Sequence, residues 1–221
     1  MTARDDILSK IRNLRNRGPV AAGNRHMLDK RLADHPRNLV PARSDGPDAQ
    51  RVDQFMDFVG KAGATILRVQ RASDVPKAVA DYLRDHNLPF RIRTTTDPEI
   101  DTLPWADQDL LERHTGRAEK SDDVSVTSAV AGISETGTLL LTSGQHTPTS
   151  LNFLPETHIV VLHRNDVVGS YEDALDKVRK HGVMPRTLNF ITGPSRTGDV
   201  ELTMEMGAHG PRQLHVILVD D

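Results

Sequence analysis

The chain of 221 residues contains no cysteine and few aromatic residues, with one Trp, two Tyr and five Phe. Without cysteine there is no disulfide, no thiolate nucleophile and no thiolate ligand for zinc or an iron–sulfur cluster. No apolar run approaches the roughly 18 residues that span a bilayer, and the first residues lack the apolar core of a secretory signal. We therefore expect a cytoplasmic protein without a membrane span, whose chemistry depends on oxygen and nitrogen groups.

The charge is unevenly distributed, although the formal net charge is only −3. Residues 1–44 carry ten Lys or Arg against four Asp, which leaves a net charge of −9 on the remainder. A basic arm can bind nucleic acid, but this one has no aromatic residue to stack on bases. Its first apolar residues recur at helical spacing, which favours an amphipathic helix that docks on another surface. They are Ile7, Leu8, Ile11 and Leu14. We therefore do not expect a nucleic-acid partner.

Helical periodicity predicts two helices in the arm, at Ala3–Arg17 and Arg25–Ala33, followed by a proline-containing linker. From residue 48 onward, helical and strand patterns alternate. Further helices are predicted at Asp48–Ala62, Ser73–His86 and Ser170–Lys180, with a short one near Trp105. Strands are predicted at Ala64–Val69, Phe90–Thr94, Val124–Thr127, Gly137–Thr142, His158–Leu162, Thr187–Thr192 and Leu214–Val219. The charged run Glu112–Ser121 is predicted to be an exposed loop.

This alternation predicts an α/β domain with a largely parallel sheet flanked by helices. The predicted domain covers residues 48–221, and residues 1–47 form a helical arm and linker. The two most apolar strands, Gly137–Thr142 and His158–Leu162, have the near-continuous apolar pattern of central strands that are buried on both faces.

One polar segment, residues 193–201, leaves the predicted strand Thr187–Thr192 and enters a predicted helical turn. Ligands of open α/β sheets bind at the carboxyl ends of strands, and a helix start adds free N–H groups. Ser195 and Thr197 add hydroxyls, and Arg196 can hold a carboxylate or a phosphate through two hydrogen bonds. A turn with a helix cap explains the segment equally well except for Arg196, so anion binding is favoured.

A second polar segment, Ser134–Thr138, lies directly before a buried strand. Glu135 could act as a general base or as a nucleophile toward an acyl group. It could equally be satisfied by hydroxyls and amides in a turn at Gly137, and the local residues leave both alternatives open. A third segment, Ser143–Ser150, offers hydroxyls, an amide and an imidazole, and could line a polar pocket or form an ordinary loop.

No metal site is predicted. Glu201, Glu205 and His209 have the spacing of three ligands on one face of a helix. However, Gly207 and Pro211 argue against a helix that extends so far, so a helix end followed by a turn is favoured.

Three motifs stand in order along the chain: SETGT at 134–138, GPSRTGDVE at 193–201 and GAHGP at 207–211. Together with the final strand LHVIL at 214–218, they resemble the lactate-utilisation protein C family, whose common unit is the LUD domain. The resemblance covers about residues 48–221. It implies a fold similar to the sugar-phosphate isomerase and CoA-transferase superfamily, and participation in the oxidation of L-lactate to pyruvate with two iron–sulfur partner proteins.

The resemblance and the local chemistry together give a set of candidate site residues. Glu135 is the candidate catalytic group. The candidates for binding a small carboxylate or phosphate are Thr136, Gly137, Thr138, Gly193, Ser195, Arg196, Thr197 and His209. Because the chain has no thiolate ligands, we expect no cofactor on it and place the iron–sulfur clusters on the partner proteins. The first hypothesis is a non-redox subunit of lactate oxidation, and the alternative is a free-standing enzyme that acts on a sugar phosphate or acyl-CoA through Glu135 and Arg196.

Overall fold

The computed structural model describes residues 2–14, 20–37, 39–180, 182–197 and 205–221. The chain divides into two units, Met1–Leu39 and Val40–Asp221. The first unit contains α1 (Ala3–Leu14) and α2 (Ala22–Asp34), neither of which buries a residue. Both predicted arm helices are confirmed within the described residues, and residues 15–17 lie outside them. The surface on which the arm would dock and the domain boundary at residue 47 stay predictions.

The second unit begins with an extended segment, a single 3-10 turn at Ala42–Ser44 and then alternating helices and strands. Its helices among the described residues are α3 (Asp48–Lys61), α4 (Val75–Asp85), α5 (Pro98–Asp101), α6 (Ser150–Phe153) and α7 (Tyr171–Lys180). The first strands are β1 (Thr65–Val69), β2 (Arg91–Thr94), β3 (Glu112–Thr115), β4 (Val124–Ser128), β5 (Ala131–Ile133) and β6 (Thr138–Thr142). The others are β7 (Thr157–His163), β8 (Val167–Val168), β9 (Leu188–Ile191), β10 (Arg196–Thr197), β11 (Glu205–Met206) and β12 (Gln213–Val219).

A six-stranded parallel sheet in the order β1-β12-β7-β4-β2-β3 forms the centre of this unit, which confirms the α/β class. The predicted loop over Glu112–Ser121 is wrong in its first part, because Glu112–Thr115 forms β3. Among the described strands, it pairs only with β2, at the edge of the sheet, so its charged side chains remain half-buried or exposed. Because an edge strand of this kind is not buried on both faces, it contains no apolar run, and its sequence resembles that of a loop.

A second sheet, in the order β8-β5-β6-β9, was not predicted. The apolar strand β6 lies in this sheet, where it pairs antiparallel with β5 and β9, rather than in the parallel one. The short strands β5 and β8 carry too few residues to show a period. As a result, the carboxyl end of β9 does not lie at the carboxyl edge of the parallel sheet.

Three apolar clusters hold the layers together. One lies between the parallel sheet and α4, and includes Val79, Leu83 and Ile159. The second joins the other face of that sheet to α3 and β6, with Phe55 and Leu162 fully buried. The third fills the space between the second sheet and α7. The order of layers is therefore helix, parallel sheet, second sheet with α3, and helix.

Candidate functional site

The SETGT motif forms the turn between β5 and β6. Gly137 has φ of +65°, a backbone conformation that favours glycine, and its N–H donates to the carbonyl of Ile133 at 2.9 Å. A Cβ atom at this position would lie 2.6 Å from the backbone nitrogen of Val59 in α3 and 2.7 Å from the carbonyl carbon of Phe58. Gly137 therefore allows the turn to pack directly on the helix backbone.

Glu135 is buried, with 8% of its surface exposed, and its carboxylate accepts a hydrogen bond from Arg43 Nη2 at 3.1 Å. Its backbone N–H donates to the carbonyl of Gly169 at 3.1 Å. The Arg43 side chain is 61% exposed and comes from the 3-10 turn ahead of α3. The carboxylate thus has a charged partner, which sequence reasoning did not identify because 92 residues separate the pair.

Four hydroxyl groups meet beside this turn. Thr138 Oγ1 lies 2.7 Å from Thr136 Oγ1, 3.1 Å from the Tyr171 hydroxyl and 2.6 Å from Thr192 Oγ1. Thr136 Oγ1 is also 3.0 Å from the Tyr171 hydroxyl. Since Thr192 directly precedes the GPSRT motif, this hydroxyl cluster joins the first motif to the second.

Backbone hydrogen bonds join the second motif to the third. The Ser195 N–H donates to the carbonyl of Pro211 at 2.8 Å, and the Gly207 N–H donates to the carbonyl of Ser195 at 3.0 Å. The His209 N–H donates to Ser195 Oγ at 3.3 Å. We call the place where the three motifs meet, from Thr138 through Thr192 and Ser195 to Pro211, the motif junction.

Gly193 is followed by a strand in the described residues, and the helical turn predicted within residues 193–201 falls largely on residues 198–204, which lie outside them. Arg196–Thr197 forms β10, which pairs antiparallel with β11, so the N–H groups of a helix start are absent from the described part of this segment. The terminal nitrogen of Arg196 lies only 1.8 Å from the position that a Cβ atom of Gly63 would occupy. Arg196 therefore lies over the end of α3 rather than beside Glu135.

Two other predicted site residues, Thr197 and His209, are described only in part. The backbone of Thr197 lies in β10, and His209 contributes its backbone N–H while its residue surface is exposed. Residues 198–204, which include Glu201 of the spacing considered for a metal, lie outside the described residues. In the described parts of the chain, no three His, Asp or Glu side chains are grouped so that they could hold a metal ion.

A cavity of about 190 Å³ adjoins the motif junction. Thr192, Gly193 and Ser195 form one wall, and the amino ends of β7 and β12 contribute His158 and Leu214 to the other. At the rim, Phe153 and Phe190 are 42% and 41% exposed. The cavity thus lies at the amino ends of the parallel strands and not at their carboxyl edge, which the prediction favoured.

Two buried polar residues that line this cavity, His158 and Asn152, were not predicted from the sequence. His158 is fully buried, its Nε2 lies 2.8 Å from Thr127 Oγ1, and its Nδ1 has no hydrogen-bond partner among the described residues. Burial lowers the pKa of His158 to about 3, so the ring is neutral at neutral pH. If Thr127 donates to Nε2, then Nδ1 carries the ring proton. The sequence provides only weak reason to select His158, because a single histidine in an apolar strand can equally be a buried core residue.

No helix in the described ranges has the length and apolar character needed to cross a membrane. Comparison with known proteins gives one family model, that of the LUD domain, which matches residues 52–219. A lactate utilization protein C of Bacillus subtilis (strain 168) is 31% identical over 75% of this chain and 71% of its own length. A protein of the same name from Deinococcus radiodurans is 30% identical over 89% of this chain and 91% of its own length.

Among solved structures, the crystal structure of a DUF162 family protein from Deinococcus radiodurans is similar, with a TM-score of 0.61 and 25% sequence identity. The match covers 79% of this chain and 99% of that chain. The relation to the sugar-phosphate isomerase and CoA-transferase superfamily stays a prediction.

Proposed function

The chain belongs to the LUD domain family, and from this premise we propose that it acts in lactate utilisation by binding a small carboxylate at the motif junction. The names of its relatives support the role in lactate utilisation. The proposal includes two partner proteins and a cytoplasmic location.

The absence of cysteine supports a non-redox role. Oxidation of L-lactate to pyruvate releases two electrons, and this chain has no thiolate to ligate an iron–sulfur cluster. We place those clusters on two iron–sulfur partner proteins. The present chain would then bind substrate or product, or hold the partners together.

The observation that carries the proposed site is the small cavity that Ser195 and His158 both line, together with the buried His158 Nδ1, which has no hydrogen-bond partner among the described residues. Because Ser195 Oγ accepts the His209 N–H, its own hydroxyl proton remains available to donate. We propose the Ser195 hydroxyl as the donor to a carboxylate and the neutral His158 ring as a polar group of the cavity wall. Its volume of about 190 Å³ is below the range of about 300–1,000 Å³ for drug-sized ligands, so it suits a molecule of few atoms.

Complementation of a deletion strain tests this function. A strain of the source organism that lacks the gene should fail to grow on L-lactate but grow on pyruvate, and the wild-type gene should restore growth. Ser195→Ala should restore it poorly, whereas Ser121→Ala, in an exposed loop, should restore it fully. Normal growth of the deletion strain on L-lactate would exclude the proposed role.

Purification of the tagged chain from lactate-grown cells tests the partners. We expect two further proteins rich in cysteine to copurify, with bound iron in proportion to them. Iron-free preparations that contain this chain alone would contradict the proposed partnership.

The alternative, a free-standing enzyme for a sugar phosphate or acyl-CoA, depends on Glu135 and Arg196 acting on one ligand. The contacts give it less support, because Glu135 pairs with Arg43 while Arg196 lies over Gly63. A panel of CoA esters and sugar phosphates provides the test. Turnover that Glu135→Gln abolishes would favour the enzyme over the binding subunit.

A further inference from the structure

A second cleft, distinct from the motif junction, lies where loops of the two sheets meet. It has a volume of about 800 Å³, which is within the range of about 300–1,000 Å³ for sites of larger small molecules. Arg117, Ser143 and Arg186 are among the residues that line it. We propose that this two-arginine cleft binds a phosphorylated small molecule.

The cleft is positively charged. Of the described residues that line it, two are arginines and none is acidic. Both Arg117 and Arg186 are exposed, and no ion pair joins either to an acidic residue among the described residues. In contrast, Arg93, which lies nearby on β2, pairs with Glu119 and Asp122. Two guanidinium groups without carboxylate partners can each give two parallel hydrogen bonds to a phosphate.

Hydrogen bonds fix the walls that carry these arginines. The Gly116 N–H donates to the carbonyl of Thr94 at 3.0 Å, which anchors the start of the Arg117 loop at the carboxyl end of β2. On the opposite wall, the Ser143 N–H donates to the carbonyl of Thr187 at 3.0 Å, and the Thr187 N–H donates to Ser143 Oγ at 2.9 Å. Arg117 thus directly follows an anchored residue, and Arg186 directly precedes one.

A further hydrogen bond attaches the Arg117 loop to another lining residue, Ser150. Ser150 Oγ accepts the N–H of Ala118 at 3.1 Å, so the loop that follows β3 is attached to the start of α6. Additional lining residues, including Gln145, Thr147 and Thr149, offer polar groups for the remainder of a ligand. Gly116 and Arg117 directly follow β3, at the carboxyl edge of the parallel sheet, where ligands of open α/β sheets bind. The two arginines, the hydrogen-bonded walls and the position at the carboxyl edge of the sheet therefore all favour an anionic ligand.

Calorimetric titration of the full chain with inorganic pyrophosphate tests this site. We expect wild-type protein to bind pyrophosphate, and Arg117→Gln and Arg186→Gln each to weaken binding by about tenfold or more, because each removes a charged donor. Arg84→Gln is the matched control. Arg84 is exposed on α4 and is not among the lining residues, so its variant should bind like wild type.

Three results would overturn the proposal. They are no binding of pyrophosphate by the wild-type chain, unchanged affinity in both cleft variants, and equally tight binding of succinate, which carries two carboxylates but no phosphate. Circular dichroism of each variant shows whether it is folded, and both positions are exposed, so the variants should fold. Since no residue of this cleft lines the cavity at the motif junction, failure here leaves the carboxylate site unaffected.

Discussion

Replacement of Gly137 by alanine would show whether the SETGT turn must contact the backbone of α3. Two costs add at this position. An alanine at φ of +65° costs roughly 1–2 kcal/mol of conformational free energy. The new Cβ would also lie 2.6 Å from the backbone nitrogen of Val59, closer than the 3.0 Å below which something must shift.

Either the turn or the helix must then move. Movement of the turn strains the bond from the Gly137 N–H to Ile133 and disturbs the hydroxyl cluster around Thr138. Movement of α3 opens the cluster that contains Phe55 and Val59. Overpacking of this kind costs about 1–3 kcal/mol, so the free energy of unfolding should fall by roughly 2–5 kcal/mol in total.

Two other glycines separate these costs. Gly182 has φ of +87°, and no atom lies within 4 Å of the position that its Cβ would occupy, so Gly182→Ala should lose only the conformational cost of about 1–2 kcal/mol. Gly60 lies inside α3 and is also unobstructed, so Gly60→Ala should gain about 0.5–1 kcal/mol. Urea unfolding followed by circular dichroism measures all three. If Gly137→Ala loses no more stability than Gly182→Ala, the close contact with α3 is refuted.

Three further experiments test other parts of the site. Burial lowers the pKa of His158 from its ordinary value of 6.5 to about 3 in the folded chain. Its contribution to the free energy of unfolding is therefore fully present above pH 6.5 and is lost as the pH falls toward about 3. Between pH 6.5 and about pH 5 this group should lower the free energy of unfolding by about 2 kcal/mol, and His158→Gln should remove that loss, measured by urea unfolding at each pH; an unchanged pH dependence would contradict this. Thr138→Val should cost about 1–3 kcal/mol, because it leaves the other hydroxyls of its cluster without their shared partner, and an unchanged urea midpoint would contradict this. A double-mutant cycle with Arg43→Gln and Glu135→Gln should give a coupling of about 0.5–1 kcal/mol, reduced by the exposure of Arg43, and zero coupling would show that the pair contributes nothing.

The sequence predicted the long elements well, because their periodicity reflects burial. The amphipathic helix over residues 48–61 and the apolar runs of β7 and β12 each contain several consecutive residues in one pattern. The polar edge strand β3 and the two-residue strand β10 have no such pattern, since backbone pairing rather than side-chain burial defines them. The misassignment of β3 as a loop, and the failure to predict β10, follow from that difference.

The site was predictable in its segments but not in its geometry. The motifs identified Thr138, Ser195 and Gly193, which the structure brings to one junction. They did not identify Arg43 or His158, because one comes from a proline-containing linker and the other from an apolar strand. The strand β9 belongs to the second sheet because it pairs with β6, and no pattern in the sequence shows this pairing. Because of it, the cavity lies at the amino ends of the parallel strands.

The most direct test of the proposed carboxylate site is calorimetric titration of the purified chain with L-lactate and with pyruvate. Wild-type protein should bind at least one of them, and Ser195→Ala should weaken that binding by about tenfold, because one hydrogen bond to a charged group is lost. Ser121→Ala should bind like wild type. Absence of binding for both acids, or equal affinity in Ser195→Ala, would contradict a carboxylate site at the motif junction.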